Sequence, residues 1–295
     1  MPFDGRFTVR DVSYGNSSPI VTTLGIVYYL ADHPMHALVF AAGRGTRLRP
    51  YTDRTPKPLL EVAGEPLLVR TLRSVVDAGV DEIVIAVGYR ADDVIDAVGT
   101  AIDGVPIRYA VQNDRDGLAH AVCVAFEDGY GICAPKEIDG SGSESAPTDV
   151  MTINGDNVFE SDCDLSRLVE RHREPGVDGT LLLDRVARNE AETTARCELD
   201  DDGTVRSLES STSEPESGYI AGGVQTHDAR VLFEACRTVE RSDTGEYELA
   251  DALESLIADG NRYVGVDLEG WHLNVNTPAD VERARQYLEG EDSAR

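Results

Sequence analysis

Short apolar runs alternate with segments of helical periodicity along most of the chain, and this alternation limits the possible folds more than any other feature. The apolar runs predict strands and the periodic segments predict helices. Strands are predicted at residues 38–42, 82–88, 107–112, 150–154, 180–186 and 263–266, and helices at residues 67–78, 91–98, 118–126, 164–173 and 246–258. Because strands separated by helices of this length are joined by right-handed crossovers, we expect an α/β fold with a mainly parallel sheet.

The two ends of the chain do not follow this pattern. Residues 20–30 form an apolar stretch that is too short to span a bilayer and resembles a signal peptide only superficially. We therefore predict that residues 1–34 are a poorly ordered extension, with an unused upstream start as the simplest explanation. One domain is expected over residues 35–290, with a last helix that begins at Thr277-Pro278, and residues 291–295 are expected to form a tail.

The chain is strongly acidic, with 54 Asp and Glu against 27 Lys and Arg and a formal net charge of −27. This charge repels phosphate backbones and anionic lipids, which excludes general binding of nucleic acid or of a membrane surface. Lys57 and Lys136 are the only lysines. An acidic surface nearly free of lysine is typical of adaptation to high salt, so we expect a halophilic protein, with a GC-rich coding bias as the alternative.

The cysteines are five in number and widely spaced, so they form neither a C-x-x-C pair nor a disulfide framework. They are Cys123, Cys133, Cys163, Cys197 and Cys236. Buried free thiols in a reducing cytoplasm are the expectation.

A glycine-rich turn, GRGTR at residues 43–47, follows the first predicted strand. Glycines let a backbone bend close to a ligand, and its free N–H groups can then surround a phosphate. Arg47 can add a bidentate contact, and Lys57 presents a point charge from a segment stiffened by prolines on both sides. The run lacks the ending of a Walker loop and the third glycine of a dinucleotide fingerprint. It therefore predicts a phosphate site of another kind.

The run AAGRGTRLRPYTDRTPKPLLEVAGEPLL resembles the G-x-G-T-R-x-x-P…P-K-P signature of the nucleotide-sugar pyrophosphorylases, and glucose-1-phosphate thymidylyl- and uridylyltransferases are the most similar members. The resemblance extends over residues 35–290 and implies a Rossmann-like, GT-A-like nucleotidyltransferase fold. It also implies that the glycine turn and the arginine bind the triphosphate, while the lysine steadies the α-phosphate. The residues that take these roles are Arg47 and Lys57 as catalytic groups, and Ala42, Gly43, Gly45 and Thr46 as nucleotide-binding groups.

A second segment, QNDRDGLA at residues 112–119, is similar to the family pattern Q-x-x-x-x-G-L-A. A carboxamide has one acceptor and two donors, so Gln112 can read both the N3–H and a carbonyl of uracil or thymine. The resemblance implies that Gly117 lets the base approach the backbone. The structural alternative is a glutamine that ends a strand and a glycine that starts a helix, and His120 is expected to be structural.

A third match, Gly155-Asp156-Asn157 after an apolar strand, resembles the family's G-D-N, whose aspartate binds Mg²⁺. A carboxylate at the end of a strand beside phosphates is a reasonable metal ligand. Its partner is expected in the run WHLNVNTP, which resembles W-x-D-x-G-T with Asn274 in place of the aspartate. Asn274 offers an oxygen without a charge, so we expect a Mg²⁺ site at Asp156 and Asn274 with reduced affinity.

The part of the sequence that should bind the sugar departs from the family pattern. Residues 205–228 resemble the segment around E-E-K-P, but Ser211 replaces the lysine that would hold the sugar phosphate and Thr212 replaces the proline. Upstream, Thr194 and Ala195 replace a Tyr-Gly pair. The residues that still fit, and that the resemblance implies for sugar binding, are Glu209, Tyr219, Ala221 and Gly223.

Together the motifs predict a Mg²⁺-dependent enzyme that transfers a nucleotidyl group from UTP or dTTP to a sugar 1-phosphate, with glucose 1-phosphate as the expected acceptor. Pyrophosphate leaves and a nucleotide sugar forms. The altered sugar side keeps two alternatives open: a non-catalytic regulatory subunit that binds a nucleotide or nucleotide sugar, and a nucleotidyltransferase with a different phosphorylated acceptor. Association into a homo-oligomer is also left open.

Overall fold

The computed structural model describes residues 33–130, 147–187, 196–209 and 217–294, together with two short strands near the amino terminus. These strands, β1 (Pro19–Val21) and β2 (Val27–Tyr29), pair antiparallel within a unit that comprises residues 1–33. The rest of the chain forms a second compact unit. That residues 1–34 are a poorly ordered extension stays a prediction.

A parallel sheet forms the centre of the second unit. Its strands, with three short neighbouring ones, are β3 (Met35–Ala41), β4 (Glu61–Val62), β5 (Glu65–Pro66), β6 (Glu82–Val87), β7 (Ala101–Ile102), β8 (Val105–Val111) and β9 (Asp149–Asn154). The parallel strands lie in the order β9-β3-β6-β8. Strands β3 and β6 are buried along nearly their whole length, as strands covered on both faces must be.

Beyond β9 the sheet continues with antiparallel strands. The remaining strands are β10 (Asn157–Phe159), β11 (Gly179–Ala187), β12 (Arg196–Leu199), β13 (Val205–Glu209), β14 (Ser217–Asp228), β15 (Tyr263–Asp267) and β16 (His272–Asn274). The long strand β14 pairs with β9, β11 and β12, and β15 pairs parallel with β11. The mixed sheet with its parallel centre confirms the predicted fold class.

Helices cover both faces of the sheet. They are α1 (Leu67–Asp77), α2 (Ala91–Val98), α3 (Leu118–Val124), α4 (Ser166–His172), α5 (Ala229–Thr238), α6 (Leu249–Ala258) and α7 (Pro278–Ala294). Leu72 of α1, Val94 of α2 and Leu168 of α4 belong to the core of one face. On the other face, Phe126 after α3 and Phe233 of α5 stack with their ring centroids 5.0 Å apart. No helix of the described residues is long and apolar enough to cross a bilayer.

Two predicted helices begin later than their sequence periodicity indicates. The helix predicted from residue 164 begins at Ser166, because the carboxylate of Asp164 accepts the N–H of Ser166 at 2.9 Å. The helix predicted from residue 246 begins at Leu249, because the N–H of Tyr247 is donated to the carbonyl of Asp116 at 2.7 Å. The first contact is local, the second joins residues far apart in the chain, and each competes with an earlier first helical turn.

A buried polar cluster joins β14 to its neighbouring strands. The Nε2 atom of His227 lies 3.2 Å from Thr152 Oγ1, and its Nδ1 atom lies 3.0 Å from the Tyr263 hydroxyl. Burial, helped by nearby His172, lowers the pKa of His227 to about 3. The imidazole is therefore neutral at ordinary pH, and the cluster holds the sheet together.

The cysteines within the described residues are free thiols, as predicted. Cys197 and Cys236 are buried, whereas Cys123 and Cys163 are partly exposed. Burial raises the pKa of Cys197 to about 12 and that of Cys163 to about 11, so these thiols stay protonated. Cys133 lies outside the described residues.

Candidate active site

A cavity of about 410 Å³ opens where the central strands end. The segments that follow β3, β8 and β9 form its floor, because the carboxyl ends of parallel strands meet at one edge of the sheet. Its lining includes these predicted site residues: Ala42, Gly43, Arg47, Lys57, Gln112, Gly117, Asp156 and Asn274. The fold thus brings residues from four distant parts of the sequence into one cavity.

Gly45 and Thr46 do not line the cavity, although the glycine-turn motif includes both. Gly45 has a φ of +63°, and a Cβ there would lie 2.8 Å from Cβ of Lys57 and 3.1 Å from Thr52 Cγ2. The hydroxyl of Thr52 also donates to the carbonyl of Gly45 at 2.8 Å. Gly45 therefore lets the turn pack against the segment that carries Lys57, while Thr46 begins a 3-10 turn.

Lys57 holds its ammonium group inside the cavity wall. Its Nζ donates to a carboxylate oxygen of Asp156, and the two side chains are only 14% and 16% exposed. Nζ also donates to Oδ1 of Asn276 at 2.9 Å. Lys57 starts a 3-10 turn between two prolines, so its backbone is fixed on both sides. An ammonium group held this way can contact a phosphate without a large loss of side-chain freedom.

Asn276 is a site residue that sequence reasoning did not single out. Its Oδ1 accepts from Lys57 and also from the Arg47 guanidinium, at 3.2 Å for the latter. The sequence did carry a signal. With Asn274 in the place of the aspartate, Asn276 stands where the W-x-D-x-G-T pattern has its glycine, and Trp271 lies one residue further upstream than in the pattern. A polar side chain in place of a glycine beside a phosphate motif indicates an added contact.

Asp156 and Asn274 meet because strand β10 pairs with β16. Asn157 lies opposite Asn274 in this ladder, and the N–H of Val275 donates to the carbonyl of Asp156 at 3.0 Å. Oδ1 of Asp156 and Oδ1 of Asn274 are both buried, and neither has a hydrogen-bond partner among the described residues. Two unpartnered oxygens, one of them charged, fit a hard cation such as Mg²⁺.

Gln112 is placed to read a base, but with fewer free groups than expected. Its side chain is 4% exposed, and its Nε2 lies 3.0 Å from the Gly117 carbonyl and 3.1 Å from His120 Nδ1. In the tautomer of His120 that leaves Nδ1 unprotonated, both N–H groups of the amide are engaged within the protein, and Oε1 is left for a ligand. In that tautomer no N–H of Gln112 remains for a base carbonyl, and the part of Gln112 in base binding stays a prediction. His120 acts here by orienting the amide.

Gly117 is required by the protein backbone as well as by any ligand. Its φ is +106°, and a Cβ there would lie 2.3 Å from the carbonyl oxygen of Tyr247. That carbonyl accepts the N–H of Ala119 at 3.0 Å, so the segment before α6 is bound tightly to the start of α3. Glu246, next to Tyr247, lines the cavity together with Arg115. Nothing in the sequence pattern links these two stretches of chain.

The residues predicted for sugar binding lie on the antiparallel side of the sheet. Gly223 has a φ of +79°, and a Cβ there would lie 2.9 Å from Nδ2 of Asn154, which lines the cavity. Ala221 and Tyr219 precede it on β14, and neither lines the cavity. Glu209 ends β13, which lies beyond β12 in the sheet. The altered positions Thr194, Ala195, Ser211 and Thr212 lie outside the described residues.

Comparisons with known proteins bear on this arrangement. A family model described as Nucleotidyl transferase matches residues 36–290. A UTP–glucose-1-phosphate uridylyltransferase, AglF, of Haloferax volcanii is 35% identical over 257 residues, which cover 87% of this chain and 98% of that protein. A glucose-1-phosphate thymidylyltransferase of Streptomyces antibioticus is 33% identical over 258 residues, which cover 86% of this chain and 67% of that protein.

A solved structure also resembles the chain. It is a crystal structure of UDP-glucose pyrophosphorylase complexed with UDP-glucose, with a TM-score of 0.71 and 17% sequence identity. The match covers 88% of this chain and 99% of that one. At this identity the likeness concerns the fold alone, and it agrees with the predicted fold class.

Proposed function

The chain belongs to the nucleotidyl transferase family as a sugar-1-phosphate nucleotidyltransferase, and we propose that it transfers the nucleotidyl group of UTP or dTTP to glucose 1-phosphate with the help of Mg²⁺. One observation carries the proposal. The ammonium group of Lys57 is held beside Asp156 and Asn276 in a cavity at the carboxyl edge of the sheet. The similarity to a uridylyltransferase and to a thymidylyltransferase supports UTP and dTTP as the proposed nucleotide substrates.

The proposed reaction needs charge and position rather than a proton-transferring base. A phosphate oxygen of the sugar 1-phosphate attacks the α-phosphorus, and the bond to pyrophosphate breaks on the opposite side. A phosphate monoester is already nucleophilic, so no general base is required. The rate then depends on alignment and on neutralisation of the charge that develops. Lys57 and Arg47, which line the cavity together with Arg115, are the cations proposed for this.

Asp156 and Asn274 are the proposed ligands of Mg²⁺, through their buried, unpartnered oxygens. When bound, the ion would neutralise charge on the phosphates of the nucleotide. Only one of the two ligands is a carboxylate, so the pair carries one negative charge less than two aspartates. We expect a correspondingly weaker hold on the metal.

Gln112 supports a preference among the bases. With both N–H groups engaged, its Oε1 can only accept a hydrogen bond. Uracil and thymine present an N3–H to such an acceptor, whereas cytosine presents a lone pair at the same position. Gln112 therefore favours UTP and dTTP over CTP. It does not distinguish uracil from thymine, because it does not contact the thymine methyl group.

Two alternatives have specific observations behind them. A regulatory subunit would need neither a phosphate-binding lysine nor a metal-binding carboxylate, so the retained Lys57 and Asp156 favour the enzyme. A different phosphorylated acceptor is favoured by Ser211, which stands where the family pattern has a lysine for the sugar phosphate. We keep the second alternative as the main competitor of glucose 1-phosphate.

The test is an assay of pyrophosphate release in concentrated KCl with Mg²⁺, in which UTP, dTTP, CTP, ATP and GTP are each combined with several sugar 1-phosphates. We expect release with UTP or dTTP and none with CTP. Lys57→Ala should abolish the signal, and Lys136→Ala, at the only other lysine, is the matched control. No release with any pair, with nucleotide binding intact, would support the regulatory subunit instead.

A further inference from the structure

Asn276 joins the two cations of the proposed phosphate site through a single oxygen. Its Oδ1 accepts from Lys57 Nζ at 2.9 Å and from Arg47 Nη2 at 3.2 Å. Two positive side chains this close repel each other, and a shared acceptor between them reduces that repulsion. Asn276 lines the same cavity as both cations. Its side chain is therefore in a position to set where the two charges stand.

The orientation of the Asn276 amide follows from its neighbours. Lysine and arginine are donors only, so the oxygen must face them and the NH₂ group must point the other way. That NH₂ group is then available to an acceptor such as a phosphate oxygen. A carboxylate here would form strong ion pairs with both cations and compete with a phosphate for them. A neutral amide accepts hydrogen bonds from both cations without neutralising them, so their positive charge can still attract a phosphate.

The backbone of Asn276 is fixed by the start of the last helix. Its N–H donates to the Asp280 carboxylate at 3.0 Å, and the same carboxylate accepts the N–H of Thr277 at 2.7 Å. The N–H of Asp280 in turn reaches Thr277 Oγ1 at 3.3 Å, which closes the cap of α7. The start of α7 thus holds the backbone of Asn276 in place, and its side chain can in turn hold those of Lys57 and Arg47.

Lys57 has two acceptors in the structure, Asp156 and Asn276. A cation at Asp156 would compete with the ammonium group for the same carboxylate, since the two positive charges repel. Asn276 is then the acceptor that remains. We infer that Asn276 is a positioning residue: it keeps Lys57 and Arg47 at the phosphate site when the Asp156 carboxylate binds a metal ion instead of Lys57. The inference rests on the proposed function.

The small number of lysines allows a direct test by NMR. In a Lys136→Arg background Lys57 is the only lysine, so ¹⁵N-lysine labelling gives one side-chain Nζ signal. We expect Mg²⁺ alone to shift this signal, and the shifted signal to stay distinct from that of a free lysine side chain. In Asn276→Gly, Mg²⁺ should instead move the signal to the free-lysine position. In Asn276→Asp it should stay close to its metal-free position.

Two outcomes would overturn the inference. One is a wild-type Lys57 signal that does not respond to Mg²⁺, and the other is an Asn276→Gly signal that responds as the wild type does. Asn261→Gly is the matched control, because it removes an asparagine side chain that bonds the Leu256 carbonyl and does not line the cavity. It should leave the Lys57 signal unchanged. Thermal melting of each variant separates a local effect from unfolding.

Kinetics add a second readout. Asn276→Gly should raise KM for the nucleoside triphosphate roughly tenfold, the worth of one charge-assisted hydrogen bond, while KM for the sugar 1-phosphate stays unchanged. Asn276→Asp should raise the nucleotide KM further. If no substrate pair gives pyrophosphate, the proposed function fails, but the NMR experiment needs only Mg²⁺ and still decides the role of Asn276.

Discussion

The two sides of the cavity hold their polar groups in different ways. On the nucleotide side, Gln112 is buried and Lys57 and Asp156 are mostly shielded from solvent, and each is fixed by a contact within the protein. On the acceptor side, Gly223 offers backbone, and the predicted Tyr219 does not line the cavity. Under the proposed function, the groups assigned to the nucleotide lie at the centre of the fold, whereas the residues assigned to the acceptor lie on outer strands.

The largest effect on turnover should come from removing the carboxylate of Asp156, on the nucleotide side of the cavity. We expect Asp156→Ala to lower turnover by roughly a thousandfold, because a preorganised charge at the reacting phosphates is removed. Pyrophosphate release measures the effect, with circular dichroism to show that the fold is kept. Asp162→Ala, at a nearby carboxylate outside the cavity, is the control. Equal loss in both variants would contradict the role given to Asp156.

Gly117→Ala tests whether the base end of the cavity is as rigid as described. A Cβ would overlap the Tyr247 carbonyl, and the backbone is in the left-handed region. We expect the free energy of unfolding to fall by about 2–4 kcal/mol and nucleotide binding to weaken strongly. Gly104→Ala is the control, since Gly104 has a φ of +91° with open space around its Cβ. It should cost about 1 kcal/mol. Similar losses at both sites would show that the contact with Tyr247 is unimportant.

The acceptor-side strand β14 should respond to acid through His227. Its pKa is about 3 in the folded protein and near 6.5 when unfolded, so the unfolded chain binds the extra proton between these values. Stability from this group is complete above pH 6.5 and is lost as the pH falls, by about 1.4 kcal/mol per pH unit. His172 and Asp149, whose side chains lie 3.2 Å apart, are further ionisable groups close to this cluster. Denaturant unfolding at several pH values should show a smaller acid loss in His227→Gln, and an equal loss would exclude His227 as its source.

Gly223→Ala tests whether the acceptor side of the cavity can be changed without affecting the nucleotide side. The new Cβ would press on Asn154 Nδ2, at 2.9 Å, and so disturb the wall nearest to β14. We expect KM for the sugar 1-phosphate to rise about tenfold, while the Kd of UTP from calorimetry stays the same. Gly176→Ala, at a φ of +77° with nothing near its Cβ, controls for backbone strain. A parallel loss of UTP binding would mean that the two sides are not independent.

Asn274→Asp is expected to have the smallest effect, and it acts on the proposed Mg²⁺ site at Asp156 and Asn274. It adds the missing charge beside Asp156, so the Mg²⁺ concentration for half-maximal activity should fall, by about tenfold. Asn261→Asp, at an asparagine away from the cavity, should leave the Mg²⁺ requirement unchanged. An unchanged requirement in Asn274→Asp would remove this residue from the proposed ligand set.

The sequence allowed the sheet centre and eight of the residues that line the cavity to be predicted, because these depend on local patterns. Strands β3 and β6 are continuous apolar runs, and the glycine turn and Lys57 lie close together in the chain. The same reasoning did not predict Asn276 or Glu246 as site residues. Their positions depend on long-range contacts, such as the bond from the Tyr247 N–H to Asp116, that no periodicity encodes.

Gln112 shows a second limit of sequence reasoning. Its residue type indicated three usable hydrogen-bonding groups, but Gly117 and His120 engage both of its donors in the folded chain. Which groups of an amide remain for a ligand is decided by tertiary neighbours. The chemistry of a site can therefore be predicted from residue types more readily than its selectivity.

The pairing of β10 with β16 has a consequence for how the protein is made. A ribosome delivers Lys57, Gln112 and Asp156 long before Asn274 and Asn276. The nascent chain can form its central strands early, yet its ligand pocket stays open on one wall until β16 emerges and docks. Stabilisation by a ligand that needs the complete pocket can therefore act only after β16 has been made.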